Sequence, residues 1–313
     1  MLKTFFSKQN ILPLLTALIW GTSFVAQSMG AETMQPFAFN FVRNLIAALF
    51  LWILSLVFDK ISAQKAKKNN EKVFVTNKKD LLVGGVLCGV ALTFAMNLQQ
   101  CGVGESGAGK AGFITALYVV LVPIFGLILK KHVPKRVFFS AGLAVVGLYL
   151  LCIKEGFTIV KSDFLLLCCA FMFAIQIMIV DHYIETVDGI KLSCVQFLVV
   201  GILSGVLMLI FEEMPTWEVI RQSLFPLIYT AIFSSGIAYT LQIVAQRKAN
   251  PTVLSIILSL ESVVATISGA IILGEKMIFR EYVGCIIMFA AVIISQVNFE
   301  SLKALSKKNG KEE

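Results

Sequence analysis

The sequence predicts an all-α integral membrane protein with ten transmembrane helices, arranged as two inverted five-helix repeats. Three observations lead to this prediction. The composition is unusually apolar, the apolar residues form ten segments of membrane-spanning length, and the last two segments resemble the two that end the first half. Residues 1–153 form the first predicted repeat, and residues 154–313 form the second with a cytoplasmic C-terminal tail.

The composition is that of a chain solvated mainly by lipid. Hydrophobic residues make up 58% of the 313 residues and charged residues 15%, with a mean hydropathy of +0.85. Soluble domains are typically about 45–50% apolar and about 25% charged. The net charge of +8 comes mostly from basic residues between the apolar segments, where they hold loops against the cytoplasmic leaflet. No aromatic-basic platform accompanies them, so no nucleic-acid partner is predicted.

Ten segments have the length of a span, because crossing about 30 Å of hydrocarbon takes about 20 mostly apolar residues. They cover residues 10–29, 37–58, 80–99, 108–129, 136–153, 163–180, 192–211, 223–244, 252–273 and 279–298. The first follows Lys3 and Lys8 as a signal peptide would. It has the length of a full span and no A-x-A cleavage site follows it, so a transmembrane helix is predicted instead.

Basic residues in the connections predict the orientation, because cytoplasmic loops carry an excess of Lys and Arg. With both termini inside, the cytoplasmic segments hold 20 basic residues and the outer segments hold 6. The sequence therefore predicts a multi-pass protein of the cytoplasmic (inner or plasma) membrane, with N-in and C-in topology and the lipid bilayer as its surroundings.

An internal repeat appears when the fourth and fifth segments are compared with the ninth and tenth. Residues 116–129, ALYVVLVPIFGLIL, align with residues 259–272, SLESVVATISGAII, and a charged linker and a glycine-containing span follow each. Five helices per repeat force the second copy to enter the membrane upside down. Inverted repeats around a midplane site are typical of alternating access, and a repeat that only builds a scaffold is the alternative.

Short motifs follow one another in a characteristic order along the chain. They are WGTSF at 20–24, FVRNLIAALFL at 41–51, SGAGKAGFITALYVVLVP at 106–123, LSLESVVA at 258–265 and LGEK at 273–276. On these residues the chain resembles the drug/metabolite transporter superfamily, specifically its EamA-type ten-helix members. The resemblance implies a transporter, directed outward, in a family whose solutes differ widely. Ser262 stands where many members have proline after the ninth-span glutamate, so their proline kink is not expected here.

Polar side chains repeat at helical spacing in three predicted spans, which puts them on one face of each helix. The stripes are Thr16, Trp20, Ser23 and Gln27 in the first span, Thr93, Asn97 and Gln100 in the third, and Thr252, Ser255, Ser259, Ser262 and Thr266 in the ninth. Lipid cannot satisfy their hydrogen bonds, so they face a hydrated pathway or a neighbouring helix. The pathway is favoured for Gln27, Asn97 and Gln100, and helix packing for Ser and Thr.

Glu261 is the sharpest candidate for a mechanistic role. It lies nine positions into the ninth span, about 13 Å deep at about 1.5 Å per residue. A charge at the bilayer centre costs about 2.5–3.5 kcal/mol on insertion scales, so this carboxylate needs a partner, water or a proton. A proton carried here would make protons the coupling ion. A structural carboxylate bonded to neighbouring hydroxyls is the alternative.

Two basic residues are candidate charge partners. Arg43, near the outer end of the second span, can snorkel to the interface, pair with Glu261 or bind a substrate carboxylate. Snorkelling or structural pairing is favoured. Lys110, at the mouth of the fourth span, is an interface anchor or an attractor of anions. Further candidate substrate contacts are Tyr118, Gln176, Tyr239 and Gln242.

Two GxxxG patterns, Gly85–Gly89 and Gly201–Gly205, allow close helix approach and predict packing seams within each half. The seven cysteines lack CxxC spacing, so neither a metal site nor a disulfide framework is predicted. The two histidines, His132 and His182, lie at span ends, and no HExxH, GxSxG or GxxxxGK[ST] motif occurs. No charged ring or repeated filter sequence suggests a channel.

These observations predict a secondary transporter rather than an enzyme. It would export small organic metabolites such as amino acids or drugs by alternating access, without a cofactor. A facilitator without ion coupling and a membrane-embedded enzyme are the alternatives. The sequence predicts no oligomeric state.

Overall fold

The structure is a computed structural model that describes residues 8–69, 74–106, 108–131, 133–152, 160–272 and 277–296. Among these residues every regular element is a helix, which confirms the all-α prediction. The helices are α1 Lys8–Ala31, α2 Pro36–Asn69, α3 Lys78–Ser106, α4 Ala108–Ala116, α5 Tyr118–Ile128, α6 Lys135–Cys152, α7 Lys161–Tyr183, α8 Gly189–Phe211, α9 Trp217–Gln222, α10 Leu224–Tyr229, α11 Tyr239–Gln246, α12 Pro251–Leu258, α13 Glu261–Ile272 and α14 Phe279–Gln296. A π-helix, Thr230–Ala238, joins α10 to α11. The LGEK motif and His132 lie outside the described residues.

Eight stretches of the described chain are long and apolar enough to cross a membrane. They are Ile11–Ala31, Pro36–Asn69, Lys78–Ser106, Lys110–Ile128, Lys161–Tyr183, Gly189–Phe211, Leu224–Gln246 and Pro251–Ile272. They match the first to fourth and the sixth to ninth predicted spans. Large apolar side chains such as Trp52, Phe94 and Leu209 are exposed on their outer faces, as expected of surface that contacts lipid. The chain is a multi-pass membrane protein.

Helices α6 and α14 occupy the positions of the predicted fifth and tenth spans, but they are not among the eight. Each is 18 residues long and has charged residues in its first turn, which shortens its apolar stretch. The two helices pack against each other. A Cβ at Gly284 would lie 2.8 Å from the carbonyl oxygen of Gly147, so glycine is what allows this approach. The count of ten spans stays a prediction.

Helix α2 is longer than the predicted second span, which ends at residue 58. Its 34 residues are about 51 Å long at about 1.5 Å per residue, well beyond the hydrocarbon thickness of about 30 Å. The lysine-rich segment after Asp59 therefore starts as helix rather than as loop. Lys67 and Lys68 in the last turn favour it, because cations stabilise a helix C-terminus. Lys191 of α8 pairs with Asp59 at 2.9 Å.

The fourth and ninth spans are each interrupted by a short turn. One turn is at Leu117, between α4 and α5, and the other is at residues 259–260, between α12 and α13, while Leu117 and Ser259 keep right-handed helical dihedrals. The ninth span is interrupted although Ser262, not proline, follows Glu261. Within this turn, the Ser259 hydroxyl donates to the Ile256 carbonyl at 2.8 Å. Serine hydroxyls that bond to the preceding turn weaken and bend helices, which provides an interruption without proline.

The GxxxG patterns are packing seams, as predicted, but the prediction that they lie within each half is wrong. A Cβ on any of these four glycines would approach a side chain of the other half within 3 Å. The contacts are Gly85 with Val195, Gly89 with Val199, Gly201 with Leu45 and Gly205 with Phe41. Helix α8 therefore packs closely on α2 and α3, because glycine removes the side chains that would separate them.

Candidate functional site

The candidate site is a cavity at the centre of the helix assembly. Its volume is about 30 Å³, counted as space open to the centres of water molecules. About 10–15 Å³ of such space holds one water, so the cavity has room for about two waters. It is lined by Trp20, Ser23, Phe24, Gln27, Arg43, Gln99, Thr115, Tyr118, Phe173, Gln176, Ile177, Ser234, Tyr239, Gln242 and Glu261. This space is smaller than an organic solute, so seating one inside it requires the lining helices to move apart.

The cavity gathers nine of the twelve residues that the sequence singles out. Those that line it are Trp20, Ser23, Gln27, Arg43, Tyr118, Gln176, Tyr239, Gln242 and Glu261. They come from six predicted spans, and most lie far apart in sequence. The other three residues, Asn97, Gln100 and Lys110, do not line it.

Glu261 lies where the short turns of the fourth and ninth spans meet. It is the first residue of α13 and is only 3% exposed. Its Oε1 accepts a hydrogen bond from the Tyr118 hydroxyl at 3.0 Å, and Tyr118 is the first residue of α5. The two residues are also equivalent in the internal alignment of residues 116–129 with 259–272. Among the described residues, no basic side chain forms an ion pair with Glu261.

Arg43 is buried in the cavity wall, so the expectation that it snorkels to the interface is wrong. Its side chain is 2% exposed. The guanidinium donates to Ser235 Oγ at 3.0 Å, to Ser234 Oγ at 3.1 Å and to Gln27 Oε1 at 3.5 Å. All three acceptors are neutral, and no described carboxylate pairs with Arg43, Glu261 included. The π-helix supplies both serines, and such turns often occur at functional sites.

Aromatic rings form another part of the wall. The rings of Trp20 and Tyr239 lie 4.6 Å apart between centroids, and Phe197 packs edge-on against Tyr239 at 5.2 Å. The indole Nε1 of Trp20 is buried and has no hydrogen-bond partner among the described residues. Leaving such a donor unpaired costs about 1–3 kcal/mol, so a water or a solute acceptor there would be favoured.

Glutamine side chains extend the polar wall away from Arg43. Gln242 Nε2 donates to Gln176 Oε1 at 3.4 Å and to Gln246 Oε1 at 3.2 Å, and Gln176 Nε2 donates to Gln196 Oε1 at 3.3 Å. Gln242 Oε1 and Gln196 Nε2 have no described partner. The cavity thus offers an unpaired acceptor at Gln242 as well as an unpaired donor at Trp20.

Comparison with known proteins identifies the family to which this geometry belongs. The model of the EamA-like transporter family matches residues 8–153 and again residues 160–296. The chain belongs to the EamA-like transporter family. An uncharacterized transporter of Archaeoglobus fulgidus is 32% identical over 283 residues, which cover 90% of this chain and 83% of that protein. The family assignment makes the chain a membrane transporter.

Other relatives agree with this assignment, and a solved structure has a similar fold. An uncharacterized transporter of Clostridium kluyveri is 23% identical over 95% of this chain and 94% of its own length. The uncharacterized transporter YoaV of Bacillus subtilis is 23% identical over 91% and 96%. A protein crystal structure superposes with a TM-score of 0.71 at 13% identity, covering 92% of this chain and 96% of that one. This superposition concerns the fold alone.

Sequence periodicity missed several polar residues of the cavity of this EamA protein. Gln99, Thr115 and Ser234 line it and belong to none of the predicted stripes. In the third span the predicted stripe includes Gln100. Its neighbour Gln99 points about 100° away on the α-helix, so the stripe excludes it. One signal in the sequence does indicate Gln99: it stands 143 positions before Gln242, the same offset that separates Tyr118 from Glu261.

Asn97 and Gln100 form hydrogen bonds between helices. For these two residues the sequence favoured the solute pathway over helix packing. Asn97 Nδ2 donates to Ser204 Oγ at 2.9 Å, and its Oδ1 accepts from Asn40 Nδ2 at 3.1 Å. Gln100 Nε2 donates to the carbonyl of Gln27 at 3.1 Å. These bonds join α3 to α8, α2 and α1.

Lys110 pairs with a carboxylate near the start of α7. Its Nζ lies 2.6 Å from Asp163 Oδ2, and Ser106 Oγ donates to the other oxygen of the same carboxylate at 3.1 Å. Asp163 is 6% exposed and Lys110 is 20% exposed. The pair therefore ties the start of the fourth span to α7, which agrees better with an anchor than with an attractor of anions.

Replacing Asn97 with leucine should destabilise the protein without changing which solute it carries. The change removes the hydrogen bonds to Asn40 and Ser204, and we expect a loss of about 1–2 kcal/mol, in the range of interhelical hydrogen bonds in membranes. Thermal unfolding in detergent measures this loss. A changed solute preference at normal stability would instead put Asn97 in the pathway.

Proposed function

We propose that this EamA-family protein is a secondary transporter that moves a small organic solute, such as an amino acid or a drug, across the cytoplasmic membrane by alternating access. The observation that carries the proposal is the central polar cavity that residues of both halves line, with Arg43 and Glu261 both in its wall. Solute sites between two repeats are a recurring design of secondary transporters. The outward direction rests on the resemblance to exporters of this superfamily.

We propose ten spans in two inverted repeats, with α6 and α14 as the fifth and tenth. The packing of the helices supports this arrangement. Exchanging the two repeats swaps α2 with α8 and α6 with α14. Each of these two contacts therefore becomes itself, and both contacts occur. The same exchange converts the contact of α1 with α13 into that of α7 with α5, and both occur. It also converts the contact of α3 with α7 into that of α1 with α11 and the π-helix, again both present.

The lining of the cavity has the same symmetry. Five pairs of lining residues are related by a constant offset, 153 positions for the spans that begin each half and 143 for later ones. These pairs are Trp20 with Phe173, Ser23 with Gln176, Phe24 with Ile177, Gln99 with Gln242, and Tyr118 with Glu261. A site shared equally by both repeats suits alternating access, because each repeat can open toward its own side of the membrane. The family model also matches each half once.

The N-in, C-in topology belongs to the same proposal. Basic residues favour the cytoplasmic side by 20 to 6. An odd number of spans in each repeat then gives the two repeats opposite orientations, which is what the exchange of helix contacts requires.

Proton coupling through Glu261 is the mechanism that we propose for this site. The carboxyl faces a cavity with room for about two waters, and its described partner is the neutral Tyr118 hydroxyl. Protonation there would remove one negative charge from a space that water barely screens. It would therefore change the balance between a closed cavity and an open one. A solute that binds with or against the proton would be coupled to it by this shared site.

Transport by purified protein in liposomes tests the proposal. We would measure uptake of radiolabelled amino acids, monocarboxylates and amine drugs, with and without an imposed pH gradient. The proposal expects saturable uptake of at least one solute, accelerated by the gradient. Saturable uptake that ignores the gradient would support the facilitator alternative. Absence of saturable uptake across the whole panel would contradict the transporter proposal for these solute classes.

A further inference from the structure

Arg43 forms a solute-binding subsite, and this inference rests on the proposed transport function. We propose that its guanidinium binds the carboxylate of a small organic solute that carries a single such group. The proposal concerns recognition, and it holds whether or not protons drive transport. Four features of the described residues support it: the contacts of Arg43, its counterpart in the other repeat, the neighbouring unpaired donor and the charge of the cavity.

The contacts of Arg43 leave part of its guanidinium available. A guanidinium has five N–H donors in a planar fork. The described partners use the single N–H of Nε and one N–H on each terminal nitrogen, so each terminal nitrogen keeps one donor. Two donors on neighbouring nitrogens are what a carboxylate needs for a bidentate pair. The neutral acceptors Ser234, Ser235 and Gln27 hold the group in place without neutralising its charge.

The second repeat indicates that packing alone does not require a cation here. The residue 153 positions after Arg43 is Gln196, which is fully buried at the equivalent point of α8. Gln196 accepts a hydrogen bond from Gln176. The residue of the first repeat that corresponds to Gln176 is Ser23, which is also neutral. A neutral amide therefore fills this place in one repeat. A buried cation without a carboxylate is costly, so its presence in the other repeat calls for a ligand that offsets the cost.

Trp20 supplies an additional donor in the same cavity. Its Nε1 has no described partner, and it lies on the face of α1 that also carries Gln27, an acceptor for Arg43. An acceptor group on the solute would satisfy this indole as well. The cavity thus combines a charged fork with a neutral donor, an arrangement suited to orienting a planar oxyanion.

The charge of the cavity limits which anion fits. One guanidinium and one carboxyl, Glu261, line it. With Glu261 protonated, a monocarboxylate brings one negative charge and neutralises Arg43; with Glu261 ionised, the balance also needs an ammonium on the solute. A phosphate ester carries about two at neutral pH and would leave an uncompensated charge in a poorly screened space. The geometry therefore favours a monocarboxylate, and a solute that also carries an ammonium could direct it toward Glu261.

Binding to purified protein in lipid nanodiscs tests the subsite without requiring transport. The probes are amino acids and simple monocarboxylates, each compared with its primary amide, which has nearly the same shape without the charge. Thermal unfolding over a concentration series gives an apparent Kd for each. We expect at least one acid to stabilise the wild-type protein saturably, and to bind at least about tenfold more tightly than its amide.

Variants of Arg43 then separate recognition from folding. Arg43→Gln should weaken binding of the acid about 10- to 100-fold, the effect of losing hydrogen bonds to a charged group, and leave the amide within about threefold. Arg43→Lys keeps the charge but not the fork, so it should give an intermediate loss and a folded protein even if Arg43→Gln does not fold. The matched control is Arg280→Gln, because Arg280 packs on Tyr149 away from the cavity.

Three results would overturn the subsite. They are amides that bind as tightly as their acids, no acid in the panel that stabilises the wild-type protein, and an Arg43→Lys variant with undiminished preference for acids. The transport proposal fails separately. A protein that binds acids through Arg43 but moves no solute contradicts transport alone, whereas one that carries acids and amides equally well contradicts the subsite alone.

Discussion

Glu261→Gln is expected to abolish stimulation of transport by a pH gradient while leaving a folded, membrane-inserted protein. Glutamine has the shape of glutamate, and its carbonyl oxygen can still accept the 3.0 Å hydrogen bond from Tyr118. It cannot exchange a proton. We therefore expect gradient-driven uptake to fall at least about tenfold, a change of about 1.4 kcal/mol in the barrier. Solute exchange without a gradient should be much less affected, because it requires no net proton movement.

Parallel measurements of driven uptake and exchange in proteoliposomes make this result specific. Glu218→Gln is the matched control, because Glu218 is exposed and pairs with Arg221 on α9, away from the cavity. Tyr118→Phe removes the hydrogen bond but keeps the carboxyl, so it should retain stimulation with an altered rate. Normal stimulation in Glu261→Gln would remove Glu261 from coupling. An equal loss of exchange and driven uptake would assign it to solute binding instead.

Much of the site could be predicted because helical periodicity survives folding. Trp20, Ser23 and Gln27 repeat on one face of a helix that stays regular, and all three line the cavity. Glu261 stood out because a carboxylate deep in an apolar segment is costly wherever it lies. The internal repeat aligned Tyr118 with Glu261, although the hydrogen bond between them becomes visible only in three dimensions.

The remaining features depend on tertiary packing or on local departures from the α-helix. Ser234 lies on a π-helix, where the 3.6-residue period no longer applies. Asn97 shares its stripe with cavity candidates, but α2 and α8 pack close enough to take its hydrogen bonds. Arg43 looked able to snorkel because sequence position alone does not reveal that α1 and the π-helix enclose it. Each discrepancy arises from a neighbour that one span's sequence does not specify.

Gly21→Ala is expected to destabilise the protein and impair transport, because it separates two helices that build the cavity. A Cβ at Gly21 would lie 2.4 Å from the Cβ of Val264 and 2.6 Å from the carbonyl oxygen of Glu261. The nearest polar obstacle is backbone, so no side-chain rotation relieves the clash. Overpacking of this kind costs about 1–3 kcal/mol. Moving α1 from α13 also moves Trp20 relative to Glu261, and transport should fall with it.

The matched control is Gly142→Ala on α6, where a new Cβ meets nothing within 4 Å. Alanine is favoured over glycine inside a helix by about 1 kcal/mol, so this variant should unfold at the same or a higher temperature and transport normally. The same substitution is thus expected to lower stability at Gly21 and to keep or raise it at Gly142. Thermal unfolding in detergent measures the stability of each variant, and uptake in liposomes measures its transport. A Gly21→Ala protein as stable and active as Gly142→Ala would mean that α1 and α13 can separate freely. In that case the close contact beside Glu261 would not limit how the cavity opens.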